Sequence, residues 1–77
     1  MSVSEAELGE SVLVVRVKSS DAKLRRHLEN LGIMSGAELM PLSYADGNVI
    51  LRVHDSRIAI NRDVADNIMV SKRPAIA

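Results

Sequence analysis

The sequence predicts a mainly β fold: a small barrel of about five antiparallel strands, with one short α-helix between strands 1 and 2 and a helical turn before the last strand. Three observations carry this. Leu24, Leu28 and Leu31 recur at helical spacing and are followed at once by Gly32. The remaining apolar residues fall in short runs, VLVVRVK, AELMPLSY, VILRVH, RIAIN and IMV, each of strand length and rich in β-branched residues. Tight-turn pairs, Asp46-Gly47 and Asp55-Ser56, separate three of those runs.

Residues 1–7 are polar and predict a flexible tail, and Leu8-Gly9-Glu10-Ser11 predicts the turn into the first strand. In Val12 to Lys18, Leu13, Val15 and Val17 share one face. The opposite face turns polar at Arg16 and Lys18, as in a strand buried on one side. Ser19-Ser20-Asp21 supplies helix-capping oxygens, and Asp21 also suits the positive end of the helix dipole. The helix is expected from Ala22 to Leu31. At ~100° per residue its three leucines form one stripe, with Arg25, Arg26, Glu29 and Asn30 turned away. About three turns cannot persist alone, so the stripe must pack on the sheet. Gly32 suits the left-handed turn that stops a helix, and Ile33 should fold back onto Leu28. Gly36 turns the chain again into strand 2, Ala37 to Tyr44. Pro41 cannot donate to a ladder, which places it at a sheet edge or a bulge. Asp46-Gly47 is a hairpin signal. Val49, Leu51 and Val53 should point inward on strand 3, and Ile58 and Ile60 on strand 4. Arg62 to Asn67 fits one helical turn, and Ile68 to Val70 the closing strand. Residues 72–77 read as a second tail. The pattern of five short strands with one inserted helix is that of an SH3-like barrel, whose closure removes most exposed edges.

At 77 residues the chain is one domain of modest expected stability. It has no cysteine, so neither a disulfide nor a thiolate metal site is available. It has no Phe or Trp and a single Tyr44, so its core must be aliphatic. Ten basic and ten acidic residues cancel. That balance and the lone aromatic disfavour a nucleic-acid surface. No apolar run approaches the ~20 residues a membrane span needs, and the acidic start lacks the apolar stretch of a secretory signal. The expectation is a cytoplasmic domain.

Leu31-Gly32-Ile33-Met34-Ser35-Gly36, the hairpin at Gly47, Ile58-Ala59-Ile60 and the closing Ala65..Ile68.Val70 resemble the FeoA family of ferrous iron transport accessory proteins. That family shows a helix ending in LGI-x-PG, a hairpin, an IAL strand and A-x-x-I-x-V. Leu8-Gly9-Glu10 is similar to its opening. Ser35 stands where proline is usual, Asn61 where a basic residue is common, and the loop 45–48 is shorter than many. The resemblance implies an SH3-like barrel recruited to the inner face of the membrane by the cytoplasmic G-protein region of FeoB, the ferrous iron transporter. The same barrel resembles the C-terminal domain of diphtheria-toxin-repressor type metalloregulators. That implies an alternative, a stand-alone regulatory domain that senses a divalent metal or modulates a repressor.

The residues themselves point to binding rather than catalysis. There is no nucleophile with an apparent base, and Gly32 and Gly36 sit at a helix end, where they cannot place a phosphate on a positive dipole. No cofactor is expected. The metal candidates are His54 and Asp55, which lack the three or four converging ligands a divalent site needs. Exposure and reach nominate a partner-binding surface of Arg25, Arg26, Glu29, Met34, Ser35, Tyr44, Asp46 and Asn48. Arg25 and Glu29 have the spacing of a helix ion pair. A homodimer through Ile50, or through a strand edge at Pro41, stays open on sequence alone.

Overall fold

The computed structural model describes residues 1–72. Strand β1 spans Val12–Val17, helix α1 Ala22–Asn30, β2 Glu38–Ala45, β3 Asn48–Val53, β4 Ser56–Asn61, the short helix α2 Arg62–Ala65, and β5 Ile68–Lys72. A 3₁₀ turn at Val3–Glu5 precedes them. The strands form one antiparallel sheet in the order β4-β3-β2-β1-β5. The expected mainly β, SH3-like arrangement is therefore present, with α1 between the first two strands and α2 before the last.

Helix α1 begins where the sequence placed it. The Asp21 carboxylate accepts the backbone N–H groups of Lys23 and Leu24, at 3.0 and 3.2 Å. It ends in a Schellman arrangement: Ile33 N–H donates to the Leu28 carbonyl at 2.8 Å, and Gly32 N–H to that of Glu29 at 2.9 Å. Gly32 has φ +93°, and a Cβ there would lie 3.1 Å from Val53 Cγ1 and 3.2 Å from the His54 ring. A larger residue would carry the strain of this φ and press on both neighbours, so glycine suits a helix exit this close to β3. Leu28 and Ile33 are both buried in the core, and Leu24 packs against it.

The core is aliphatic throughout, and Val49, Leu51, Val53 and Ile60 point into it as expected, with Ile58 packed at its margin. Two bulges alter the rest. In β1, Val14 pairs with Val70 but Arg16 with Met69, so Val15 has no partner. The inward face of β1 is Val12 and Val14, both buried, and Val15 is 52% exposed, so the expected face of Leu13, Val15 and Val17 is corrected. The extra residue then switches faces, turning Arg16 outward and Val17 back against the core. In β2 the register shifts between Pro41 and Ser43. Of the two places expected for Pro41, it takes the bulge and not the edge, fully buried in an interior strand. Its missing N–H costs nothing because β1 pairs with β2 only up to Leu39. Beyond that point the Pro41 carbonyl accepts Gly9 N–H at 2.8 Å.

Asp46 and Gly47, at φ 46° and 78°, make the two-residue turn that Asp-Gly favours. The next turn is His54-Asp55, one residue earlier than expected, because Val53 pairs with Ser56. His54 takes φ 55°, a conformation rare but tolerated for His. Asn61 caps α2, its side-chain oxygen accepting Val64 N–H at 2.9 Å.

Residues 1–7, expected as a tail, instead pack onto the sheet. Val3 is fully buried and Ala6 nearly so. Ser2 bridges to Met69, and Val70 N–H donates to the Met1 carbonyl at 2.8 Å. A core without large aromatics needs this extra aliphatic cover, and β5 gains hydrogen bonds along its outer edge. The expected C-terminal tail, 72–77, lies outside the described residues apart from Lys72, the last residue of β5. Among the described residues no helix is long and apolar enough to cross a membrane.

Gly32→Ala is expected to lower stability by about 1–3 kcal/mol, because it combines a positive φ with the contacts to Val53 and His54. Urea unfolding checks this; an unchanged midpoint at an unchanged slope would refute the close-approach account.

Candidate functional site: an unpartnered groove beside the helix exit

All eight nominated partner-binding residues are exposed, but the fold distributes them over three places. Four come together. A shallow groove of about 210 Å³ runs between α1, β1 and the turn after α1. The helix contributes Arg25 and Glu29, and the turn contributes Ile33, Met34 and Ser35. From β1 come Arg16 and Val17. Arg26 lies apart, beside Lys23, His27 and Asn30. Tyr44, Asp46 and Asn48 line a smaller recess of about 130 Å³ at the β2–β3 hairpin, with Arg62.

The helix exit builds the groove. Once Gly32 has reversed the chain, Gly36 N–H donates to the Val14 carbonyl at 2.8 Å, and Ser35 Oγ donates to that of Val15 at 3.1 Å. Ser35 thus pins the turn to the bulge of β1, a bond that proline at this position could not make. The bulge turns Arg16 outward beside the turn, next to the exposed Val15. Met34 is 44% exposed on the turn itself. Sequence reasoning missed Arg16 and Val15, because an apolar run such as VLVVRVK carries no sign of where its bulge falls.

The groove's charged groups are free. Among the described residues the one side-chain ion pair is Lys72 with Glu10, at 3.9 Å. Arg16, Arg25 and Glu29 make no side-chain hydrogen bond or ion pair there, and the Arg25–Glu29 pairing that their spacing permits is not made.

Tyr44 has a structural task as well as an exposed ring. Its hydroxyl lies against the carbonyls of Val3, at 3.1 Å, and of Ala6, and so donates to the N-terminal segment. Burial raises its pKa above the ordinary 10.0, with nearby Arg62 opposing. At the other end of the same segment, Glu5 accepts Ser2 N–H at 2.9 Å and Ser2 Oγ at 3.1 Å. The backbone bond, followed by the hydroxyl bond, lowers the Glu5 pKa below 4.5.

The metal candidates are not brought together with further ligands. The His54 ring lies over Gly32 and faces a recess shared with Ser11, Glu38 and Arg52. Asp55 opens onto a different recess, between Arg52 and Arg57. Among the described residues no three His, Asp or Glu side chains are grouped so that they could hold a metal ion.

A family model for the FeoA domain matches residues 1–72. The chain belongs to the FeoA family. No curated protein matches the sequence. Solved FeoA structures agree with the fold. The FeoA protein from Chlorobium tepidum superposes with a TM-score of 0.88 at 25% identity, over 100% of this chain and 74% of that one. A zinc complex of FeoA from Stenotrophomonas maltophilia gives 0.80 at 25% identity, over 92% of this chain and 89% of its own. A manganese-dependent transcriptional repressor gives 0.85 at 17% identity, over 95% of this chain and 41% of its own, a likeness of fold alone.

Tyr44→Phe is expected to cost about 0.5–1.5 kcal/mol at neutral pH and to speed amide exchange over residues 2–6. A phenol whose folded pKa is raised contributes stability that is complete below 10.0 and is lost as pH climbs through the higher folded value. The gap between wild type and Tyr44→Phe should therefore close in that alkaline range. A gap that is constant or widens with pH would refute the latch.

Proposed function

We propose that the chain is a non-enzymatic accessory protein of ferrous iron transport, which docks on the cytoplasmic G-protein region of an FeoB-type transporter and modulates uptake. Membership of the FeoA family carries this reading. The S. maltophilia relative, described as an SH3 domain protein and a candidate ferrous iron transport activating factor, supports it. The protein works at the inner face of the membrane through its partner, without inserting.

Docking uses the exposed α1 face at Arg25, Arg26 and Glu29, the turn at Met34 and Ser35, and the hairpin tip at Tyr44, Asp46 and Asn48. A chain of zero net charge has no overall charge with which to attract a partner. It can still present a local basic patch, which steers encounter and orients the contact. On α1 that patch is Lys23, Arg25 and Arg26, all exposed.

Binding to the isolated cytoplasmic domain of an FeoB-type transporter, followed by surface plasmon resonance, is the test. The expected result is saturable binding that weakens as salt rises, with association slowed about tenfold by the double change Arg25→Glu and Arg26→Glu. Absence of binding would overturn the docking reading. Full-rate association of the double variant would remove the α1 face from it.

A further inference from the structure

We infer that the groove between α1, β1 and the turn after Gly32 receives an acidic segment of a protein partner, two carboxylates flanking one aliphatic side chain. The inference rests on the docking reading and assigns the chemistry of the contact. It is carried by what the groove lacks. Arg16 and Arg25 line it from different elements, and neither has an acidic partner or a hydrogen bond among the described residues. Guanidinium groups favour bidentate carboxylate contacts, so two free ones beside an apolar floor make a receptor for such a segment.

The apolar surface an occupant can touch is supplied by Val17 and Met34. Ile33, fully buried in the core beside them, fixes that surface from the core side. Met34, on the exposed turn, is unbranched and polarizable, which lets it close over side chains of different shape. Glu29, also unpaired, is the one acidic residue lining the groove and disfavours carboxylates beyond the two that the arginines can pair. Arginine beside a small apolar recess is the composition typical of the few residues that dominate a protein contact.

The test uses the full chain, ¹⁵N-labelled, with the acetylated and amidated peptide Ser-Glu-Leu-Glu-Ser as probe. Saturable amide shifts are expected at Val17, Ile33, Met34 and Ser35. Peptides with Gln for Glu, or with Ser for Leu, should bind about tenfold or more weakly. Arg16→Gln and Arg25→Gln should each weaken the parent peptide by about tenfold, while Arg26→Gln, outside the groove, should not. All three positions are exposed, and an unchanged amide spectrum elsewhere confirms the fold of each variant. Equal binding by Arg16→Gln and the parent, shifts centred elsewhere, or no shift at millimolar peptide would each overturn the inference. So would phosphatidylglycerol vesicles that bind the groove while the peptide does not. Arg16→Gln also separates this inference from docking. If the transporter domain binds parent and variant alike, the groove assignment falls and docking stands. If it binds neither while the peptide seats in the groove, docking falls and the assignment stands.

Discussion

The contact between the end of α1 and strand β3 governs the rest of this molecule. Gly32 lies so near Val53 and His54 that a Cβ there would press on both side chains, and its φ of +93° is one that other residues rarely adopt. Its left-handed backbone reverses the chain there, and two hydrogen bonds back to Leu28 and Glu29 fix the reversal. Leu28 and Ile33 are thereby sealed into the core from either side of the glycine. Burying two such side chains contributes roughly 1.5–3 kcal/mol each, a large share of what a small domain has in reserve. The same reversal launches the turn that hands the chain to β2 and forms one wall of the groove. Core and surface at this place are one construction.

The absence of Phe and Trp shapes the opposite side. Aliphatic residues pack well but cover less area each than aromatic ones. The N-terminal segment makes up the difference by laying Val3 and Ala6 over the sheet. The single aromatic, Tyr44, is spent at the margin, where its ring stays partly exposed and its hydroxyl reaches two carbonyls of that segment. Glu5 and Ser2 tie the segment to itself. The cover is therefore held by polar bonds at its ends and by burial in its middle.

Charge follows a similar logic. The whole chain is neutral, yet neutrality of a total says nothing about its distribution. The ion pair that helical spacing allows between Arg25 and Glu29 is not formed, and Arg16 is carried to the same groove by a bulge. Surface arginines gain little from internal pairing in water. Left unpaired beside an exposed apolar surface, they can receive the carboxylates of a partner, and this is the physical basis of the groove assignment.

What the sequence determined by itself was periodic or punctual. The leucine spacing, the Asp21 cap, the Gly32 stop, the Asp46-Gly47 turn and the inward faces of β3 and β4 follow from local geometry, which neighbouring residues dictate. Arg25, Glu29, Met34 and Ser35 were legible as exposed for the same reason. Tertiary structure alone decided the rest. The β1 bulge is set by pairing with β5, more than fifty residues away, and it turns Arg16 outward to the groove and Val17 back against the core. Pro41 could enter an interior strand because β1 diverges there. Residues 2–6 left solvent because the aliphatic core had room for Val3. Each of these depends on contacts between segments distant in the chain, and no local pattern of side chains encodes which distant segment will arrive.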